Sequence, residues 1–364
     1  MKLSSKNILL ISPEPWDHIF VSKHHYAIHL AARGNRIFFL NPPSLRDSTE
    51  ESGYPNLTVI NYKGFIKGMR FWPKWIRDIY TYAKWKKLQK ICDTEFDIIW
   101  SFDNSVFYDL DALPEKVLKV SHMVDLNQNF QFEKATRSAD LCIAVSDYIL
   151  ERQLTFNKNS FKITHGYSSK QIFRDLPQLP GQNRIKAMYV GNLAMSYLDW
   201  ATLYEACENN SLVDFIFIGP GKEDVNPGNN PTYPFKEKVL KLDHCYFIER
   251  IPSEHLMGFL QVSDLLLICY QEKYHKEQSN PHKLMEYLAS GKPIVATYTS
   301  EYIELRDLIQ MSKENRQWPG KFRETISNLE KLSSPDITAL RSQFAIENTY
   351  DKQISKIELI INRN

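Results

Sequence analysis

The sequence lacks long hydrophobic runs and any marked excess of charge of one sign. Its 364 residues include 45 Lys and Arg and 43 Asp and Glu, so the formal net charge is only +2. This balance gives the molecule as a whole no attraction to polyanions. No apolar stretch reaches membrane-spanning length, and residues 1–11 lack the apolar run and cleavage site of a secretory signal. We therefore expect a protein that is neither secreted nor integral to a membrane.

Cysteine is also scarce. The five cysteines are odd in number and widely scattered, at Cys92, Cys142, Cys207, Cys245 and Cys269. Their spacing is not typical of a metal site or of a disulfide framework. Cys142 and Cys269 lie within apolar runs, so we interpret both as small buried hydrophobic residues. The pattern favours a reducing compartment, and the expected location is cytoplasmic.

What the sequence does contain is a regular alternation of apolar strands and amphipathic helices, which is typical of parallel α/β sheets. Apolar residues make up 43% of the chain, and its length suits two domains. The first series of predicted strands lies at residues 7–12, 36–40, 57–61, 96–101, 117–122 and 141–146. The second series lies at residues 185–190, 213–218, 246–248, 265–269 and 294–297.

The two series are separated by a polar segment, residues 174–183, which contains two prolines and which we interpret as a linker. This places one Rossmann-like domain at residues 1–173 and a second at residues 184–345. Residues 346–364 end a tail of helical periodicity. No internal repeat of 20–50 residues is present.

The segment from residue 280 to residue 297 predicts a short helix followed by a buried strand. Asn280 is a good N-cap, and a proline at the next position suits the first helical residue. Gly291 can adopt the left-handed conformation that ends a helix, and Pro293 prevents continuation. An apolar run after that proline is typical of a buried parallel strand. The core stripe of the helix is predicted to be Leu284, Tyr287 and Leu288.

With that stripe buried, Lys283 and Glu286 share another face of the helix. The face begins at a helix N-terminus, where free N–H groups and the helix dipole attract phosphate. A lysine for a diphosphate and a carboxylate for ribose hydroxyls would suit a sugar nucleotide. The alternative is an ordinary solvated ion pair on a surface helix, because such pairs are common.

Residues 280–297 resemble the donor-binding signature of GT-B glycosyltransferases, especially glycosyltransferase family 4. In that family a lysine precedes a glutamate by three residues, and a Gly-x-Pro turn leads into an apolar strand, as in Lys283–Val295 here. The resemblance implies the GT-B fold, with two Rossmann-like parallel-sheet domains facing a central cleft. It also implies that the last helix, after Asn348-Thr349-Tyr350-Asp351, crosses back onto the N-terminal domain.

The activity implied by the resemblance is transfer of a hexose from a nucleotide-sugar to a hydroxyl acceptor, in assembly of a surface polysaccharide or lipid-linked glycan. Retention of configuration and independence of metal ions are implied as well. The donor, such as a UDP- or GDP-sugar, is a substrate, and no cofactor is expected. Two alternatives stay open, a GT-B-fold nucleotide-sugar epimerase and a non-catalytic scaffold subunit that binds nucleotide-sugar.

Further donor-binding residues are implied by position. Gly191 and Gly219 follow strands, where a glycine lets backbone approach a phosphate or simply makes the turn. Relatives place Arg directly after the first glycine and Lys about five residues on, whereas this chain has Asn192 and Tyr197. The resemblance also implies that Arg250 and Ile251 contact the nucleobase of the donor. It further implies that Ser279, Asn280 and His282 face the donor-binding cleft.

The catalytic residues implied by the resemblance depart from the family pattern. Retaining members pair two glutamates eight positions apart, but Gln278 stands eight residues before Glu286. Glutamine can hydrogen-bond sugar hydroxyls but carries no charge. Either the neighbouring Glu277 substitutes for the first carboxylate, or this chain dispenses with it.

Acceptor-side candidates follow strands of the first series. His122 could hydrogen-bond a sugar hydroxyl, and Asp125 could accept a proton from the acceptor. The alternatives are a histidine satisfied at the edge of the core and an aspartate that caps the next helix. Trp16, Asp17 and His18 belong to an aromatic, proline-rich loop that we expect beside the acceptor. No combination of residues predicts a metal site.

One segment, residues 63–90, contains nine Lys and Arg and a single acid, Asp78, interleaved with aromatic residues. Such a mixture favours the surface of an anionic membrane. It is also compatible with nucleic acid, which we do not expect here, or with a solvated helix whose aromatics enter the core. The prediction is a peripheral protein at the inner face of the cell membrane.

Overall fold

The computed structural model describes residues 2–18, 20–126, 128–168, 176–220 and 230–363. The chain divides into two compact units. The first unit comprises Met1–Gly166 and Tyr350–Asn364, and the second comprises Tyr167–Thr349. The division lies ahead of the predicted linker. Residues 174–175 of that linker are outside the described residues, and residues 176–183 belong to the second unit.

The first unit contains an eight-stranded sheet in the order β3-β4-β2-β1-β5-β6-β7-β8. Its strands are β1 Asn7–Ile11, β2 Arg36–Leu40, β3 Ser48–Glu51, β4 Leu57–Asn61, β5 Ile98–Ser101, β6 Leu118–Met123, β7 Leu141–Ala144 and β8 Ser160–Lys162. The helices are α1 Ser22–Ala32, α2 Lys74–Ile91, α3 Phe132–Arg137 and α4 Asp147–Leu154. All neighbouring strands are parallel except β3, which pairs antiparallel with β4 at the edge.

This sheet is covered on both faces, which explains its continuous apolar strands. Ile8 and Leu10 of β1 pack with α1 on one face, while Leu9 and Ile11 pack towards α2 on the other. Trp85 of α2 is fully buried in the second of these layers. The six strands predicted for this unit are therefore present. The two missed strands, β3 and β8, are short and polar and have no apolar periodicity.

The second unit contains a six-stranded parallel sheet in the order β11-β10-β9-β12-β13-β14. Its strands are β9 Ile185–Val190, β10 Val213–Ile218, β11 Cys245–Ile248, β12 Leu265–Ile268, β13 Ile294–Ala296 and β14 Ile309–Met311. Its helices are α5 Trp200–Glu208, α6 Pro234–Val239, α7 Leu256–Val262, α8 Lys283–Ser290, α9 Trp318–Ser327, α10 Leu329–Leu332 and α11 Pro335–Glu347. The five predicted strands are present, and β14 is an additional edge strand.

The last helix, α12 Tyr350–Arg363, packs on the first unit rather than on the second. Tyr350 is fully buried and its ring stacks on His25 with centroids 4.9 Å apart. Asp351 lies 2.9 Å from the Nδ1 atom of His29 on α1. The expected return of the last helix to the first unit is confirmed.

The fold also shows where the cysteines lie and how the ionisable and apolar residues are arranged. Cys142 and Cys269 are fully buried, as predicted. Among the described residues, no group of His, Cys, Asp and Glu is arranged to hold a metal ion. In the same part of the chain, no helix is both long and apolar enough to cross a membrane.

Candidate functional site

Helix α8, at the centre of the predicted donor signature, begins later than the sequence indicates. It starts at Lys283, so Asn280 is not its N-cap, and that prediction is wrong. Asn280 is instead buried ahead of the helix, where its side-chain oxygen accepts a hydrogen bond from the Tyr302 hydroxyl at 2.7 Å. The predicted end is confirmed, since Gly291 adopts a left-handed φ of +73°.

The predicted core stripe of α8 is confirmed, because Leu284, Tyr287 and Leu288 are fully buried. Glu286 lies one turn into the helix and is only 9% exposed. Its Oε1 atom is 3.5 Å from Nδ1 of His282. Within the described residues, its Oε2 atom is buried without a hydrogen-bond partner.

This orphan oxygen is informative because an unsatisfied buried polar group costs about 1–3 kcal/mol, and a charged one costs more. A ligand hydroxyl that donates to Glu286 would remove that cost. A solvated ion pair between Lys283 and Glu286 does not fit the burial of the carboxylate.

Two glycine turns lie next to the start of α8. Gly191, after β9, has φ +150°, and Gly219, after β10, has φ +142°. A Cβ atom on Gly219 would lie 2.0 Å from the carbonyl oxygen of Gly191. The two turns therefore pack backbone against backbone, and only glycine fits at Gly219. The strained conformation by itself requires these glycines, whatever binds beside them.

Lys283 projects onto the first of these turns. A Cβ on Gly191 would lie 2.3 Å from the Nζ atom of Lys283. The ammonium donates a hydrogen bond to the Tyr189 hydroxyl at 2.8 Å and lies 4.1 Å from the centroid of that ring. Burial lowers the pKa of Lys283 to about 7, although the carboxylate of Glu286 opposes the shift.

The other predicted donor residues have more varied surroundings. Asn192 is partly buried, and its side-chain oxygen accepts the N–H of Ala194 at 2.9 Å, so it shapes the turn after Gly191. Ser279 is buried and precedes Asn280. Arg250 is exposed and Ile251 is half-buried in the segment after β11.

Glu277 and Gln278, the candidates for the missing first carboxylate, are both half-buried before Ser279. The N–H of Gln278 donates to the carbonyl of Tyr274 at 2.8 Å. Tyr197, at the position where relatives have lysine, packs its ring edge-on against Tyr270 with centroids 4.8 Å apart. The position is thus occupied by a packed ring rather than by a cation.

The tyrosines around Lys283 were not identified from the sequence. They are Tyr189 and Tyr270. Both are buried. The available signal was a tyrosine near the end of a largely apolar strand, two residues before Gly191, where a buried hydroxyl needs a polar partner.

In the first unit, His122 belongs to the core. It is 1% exposed, its ring stacks on Phe102 at 4.5 Å, and its Nδ1 atom accepts the indole N–H of Trp100 at 3.2 Å. Burial lowers the pKa of His122 to about 3, so the imidazole is neutral. Its packing favours the alternative interpretation, a histidine of the core, but the imidazole is only half satisfied, because within the described residues its Nε2 atom is buried without a hydrogen-bond partner.

Asp125 lies beyond β6 and is exposed. Its N–H donates to the side-chain oxygen of Gln128 at 3.2 Å. The next helix, α3, has Gln131 at its N-cap position, so the alternative role of Asp125 as a helix cap is wrong. An exposed carboxylate at the end of a central strand is free of a structural role in that helix.

Some side chains of the loop after β1 pack against the protein, and others are exposed to solvent. Trp16 packs against Phe20 and Phe39, at centroid distances of 5.1 and 5.0 Å, and its indole N–H donates to Ser52. Asp17 and His18 are exposed beside it. Trp16 and Asp17 border a surface cavity of about 590 Å³, which is lined in addition by Asn41, Glu50, Glu51 and Asn61.

A buried charge in the same region was not anticipated. Lys23, in the first turn of α1, is 3% exposed and forms an ion pair with Glu14 of the loop after β1. Because a buried ammonium must be paired, this contact ties the loop to the helix. The sequence gives no signal for it, since nine residues separate the partners.

Residues 63–90 combine core and exposed aromatics. Trp85 is fully buried, and Phe65, Trp72 and Tyr80 pack against the core at its edge. Three large apolar residues spaced four apart are exposed, namely Phe71 at 77%, Trp75 at 66% and Ile79 at 63%. They form a stripe along the outer face of α2 and the turn before it.

Comparison with known proteins agrees with this architecture. No family model matches the sequence. A Bacillus subtilis protein named as a teichuronic acid biosynthesis glycosyltransferase, TuaH, is 23% identical over 186 residues. That match covers 46% of this chain and 45% of TuaH, so the chain spans about half the length of the curated relative it matches.

Solved structures match over nearly the whole chain. Sucrose-phosphate synthase from Thermosynechococcus elongatus has a TM-score of 0.75 at 12% identity, with 98% of both chains covered. Trehalose-6-phosphate synthase OtsA has a TM-score of 0.68 at 12% identity, covering 97% of this chain and 98% of that one. Anabaena HepE, in complex with UDP and glucose, has a TM-score of 0.64 at 13% identity, covering 97% and 99%. The chain has the GT-B fold, and membership of glycosyltransferase family 4 stays a prediction.

Proposed function

We propose that this chain is a glycosyltransferase that binds a nucleotide-sugar donor beside α8 and transfers the sugar to a hydroxyl acceptor. The observation that carries the proposal is that α8 places the Lys283 ammonium against the Gly191 turn and, three residues further on, buries the Oε2 atom of Glu286 without a hydrogen-bond partner among the described residues. The GT-B fold supports it, as do the UDP and glucose bound by Anabaena HepE.

Each group has a distinct role in the proposed donor complex. The ammonium of Lys283 binds the diphosphate and stabilises the charge that develops on it as the sugar leaves. The backbone N–H groups at the start of α8, after Ser279, Asn280 and His282, bind the same anion. Glu286 accepts hydrogen bonds from the ribose. Arg250 and Ile251 contact the base, which is uracil or guanine in the proposed UDP- or GDP-hexose donor.

Gln278 and Glu277 are the proposed contacts to the donor sugar. Gln278 can hydrogen-bond sugar hydroxyls in both directions, because its amide carries two donors and an acceptor oxygen. Glu277 supplies the negative charge that glutamine lacks. We propose retention of configuration and a reaction independent of metal ions, as in the family that the signature resembles.

On the acceptor side we propose Asp125 as the group that accepts the proton of the attacking hydroxyl, since it is exposed and not committed to a helix cap. Asp17 and His18 are the proposed acceptor contacts, with Trp16 holding their loop. His122 is proposed to support the strand end from within the core. We propose a surface polysaccharide or lipid-linked glycan as acceptor, and the name of TuaH, a teichuronic acid biosynthesis glycosyltransferase, supports the polysaccharide context.

The proposal is tested by incubating the protein with UDP-, GDP- and ADP-hexoses and measuring binding and nucleoside diphosphate release. Lys283→Met is expected to weaken binding at least tenfold. Lys292→Met, at the other end of α8 and also partly buried, is the matched control and is expected to bind normally. Interconversion of the sugar would favour the epimerase, and binding without turnover would favour the scaffold. Absence of binding to all donors would refute the proposal.

The proposed acceptor would place the protein at a membrane, and α2 offers a suitable surface. The stripe of Phe71, Trp75 and Ile79 could insert apolar area into the lipid interface. Exposed cations surround it, at Lys63, Lys67, Arg70, Lys86 and Lys90. Each Lys or Arg near an anionic surface contributes about 1 kcal/mol. The stripe and its charge therefore fit an anionic lipid surface.

This surface is tested by sedimentation with vesicles of phosphatidylglycerol and phosphatidylcholine, compared with phosphatidylcholine alone. The double variant Trp75→Glu/Ile79→Glu is expected to lose binding to the anionic vesicles. Leu212→Glu, at an equally exposed leucine of the second unit, is the matched control and is expected to bind. The membrane surface is refuted if the wild-type protein does not sediment with anionic vesicles. It is also refuted if the wild-type protein is a dimer and the double variant dissociates that dimer without changing vesicle binding.

A further inference from the structure

Lys283 is held in one geometry, although a lysine side chain has four rotatable bonds. Fixing such a side chain costs up to about 2 kcal/mol of rotamer entropy. Here its ammonium is bounded by the hydroxyl and ring face of Tyr189 and by the backbone of Gly191. The ring of Tyr270 lies further away, with its centroid 5.7 Å from Nζ. These contacts restrict the ammonium before any ligand arrives.

Tyr189 is itself fixed. It is the second-last residue of β9, which pairs with β10 on one side and with β12 on the other. Its side chain is fully buried beside Tyr270. The ring of Tyr270 is in turn packed against Tyr197. The acceptor of the Lys283 hydrogen bond is therefore part of a rigid cluster.

The geometry leaves the ammonium available to a ligand. A lysine ammonium has three N–H donors, and Tyr189 takes one of them. Within the described residues, no second hydrogen-bond acceptor for Lys283 is found. A Cβ on Gly191 would lie 2.3 Å from Nζ, so the absence of a Cβ lets the ammonium approach the backbone of this turn, and its remaining two N–H groups can bind a phosphate there.

We propose that Tyr189 is a positioning residue that holds the Lys283 ammonium against the Gly191 turn in the geometry that binds the donor diphosphate. This role rests on the proposed function. A phenol accepts a hydrogen bond from the charged lysine without adding a charge of its own. It therefore orients the cation without competing with the phosphate for it.

The test compares two buried hydroxyls of the same region. Tyr189→Phe keeps the ring and removes the hydroxyl that accepts from Lys283. Tyr287→Phe is the matched control, because the hydroxyl of this fully buried tyrosine accepts the N–H of Val190 at 2.9 Å. Both variants lose one buried hydroxyl, so similar decreases in Tm are expected from a purely structural effect.

The readouts are the Kd for UDP, GDP and ADP and its dependence on pH. Tyr189→Phe is expected to raise the Kd of the nucleotide that binds about five- to tenfold at pH 7. The charged form of Lys283 also loses a hydrogen bond in this variant, which lowers the pKa of the lysine. Binding is therefore expected to start weakening at a pH about half a unit to one unit lower than in the wild-type protein. Tyr287→Phe is expected to change neither. The other ionisable groups facing Lys283 are Glu286 and Tyr270, and they are the same in both variants.

Equal effects of the two variants on Kd and on the pH profile would overturn the positioning role. If the wild-type protein binds none of the three nucleotides, the proposed function fails instead. In that event the inference about Tyr189 can still be tested separately from the proposed function. The measurement is the titration of Lys283 in the ligand-free protein, monitored by NMR of its side-chain carbons. An unchanged titration in Tyr189→Phe would overturn the inference about Tyr189, and a lower midpoint would support the contact.

Discussion

The affinity for a nucleoside diphosphate is expected to fall as the pH rises above 7. Burial lowers the pKa of Lys283 to about 7, and a bound diphosphate would raise it again by favouring the ammonium. The complex therefore holds more protons than the free protein between these two pKa values. By linkage, binding is strongest below pH 7 and weakens through this window.

The magnitude follows from the fraction of Lys283 that is charged in the free protein. With a pKa of about 7, this fraction is about one half at pH 7, one tenth at pH 8 and one hundredth at pH 9. If only the ammonium binds the diphosphate, Kd rises about fivefold from pH 7 to 8 and about tenfold from pH 8 to 9. A tenfold change corresponds to about 1.4 kcal/mol.

The assay is isothermal titration calorimetry with UDP between pH 6.5 and 9.5, in two buffers of different protonation enthalpy. Proton uptake on binding is expected to approach one between pH 8 and 9. The terminal phosphate of UDP titrates near pH 6, below this window. Tyr189 and Tyr270 stay neutral across the window, because burial raises the pKa of both phenols.

Two variants make the result specific. Lys283→Arg carries a guanidinium that stays charged throughout the range, so its affinity is expected to be nearly independent of pH. His282→Asn removes the titratable group that faces Glu286 and is expected to keep the wild-type slope. A flat wild-type profile without proton uptake would refute the reasoning, as would the wild-type slope in Lys283→Arg.

Three other perturbations have expected outcomes. Glu286→Gln should weaken nucleotide binding about 10- to 100-fold in calorimetry without lowering Tm, because it removes both the ribose acceptor and an orphan buried charge. Gly219→Ala should lower Tm by several degrees in differential scanning calorimetry, since its Cβ would meet backbone at 2.0 Å, whereas Gly34→Ala, in open space, should lower it less. Gly166→Ala would place a methyl group 2.7 Å from the ring of Tyr350, and faster amide exchange in α12 is expected.

The predictable part of the fold was the part set by largely apolar runs. Strands β2, β4, β9 and β10 lie at the predicted residues, because each is buried on both faces and cannot be mistaken for an amphipathic helix. Strand β3, with the sequence Ser-Thr-Glu-Glu, could not be predicted in this way. β3 forms because the edge strand β4 offers backbone N–H and C=O groups for hydrogen bonding. This long-range pairing leaves no pattern in the local sequence of β3.

The candidate site shows the same limit at the level of single residues. Lys283 and Glu286 were predicted from their spacing on a helix that also has a clear core stripe. Asn280 was misassigned because its preference for an N-cap was outweighed by a long-range hydrogen bond with Tyr302. His122 lies near the end of β6, as expected, but its burial depends on Phe102, which is distant in sequence.

The exchange of two family cations for Asn192 and Tyr197 does not by itself imply a weak anion site. Solvated cations attract a phosphate through a medium of high dielectric constant, where each contact contributes little. Lys283 is half-buried, and burial lowers its pKa to about 7, so its charge acts on a bound phosphate with less screening than that of an exposed lysine. The desolvation is already paid in the folded protein, and a diphosphate that arrives recovers part of it by pairing with the ammonium. A single preorganised lysine, held by Tyr189 against a turn without a Cβ, can therefore bind the anion, but only where the pH allows it to stay charged.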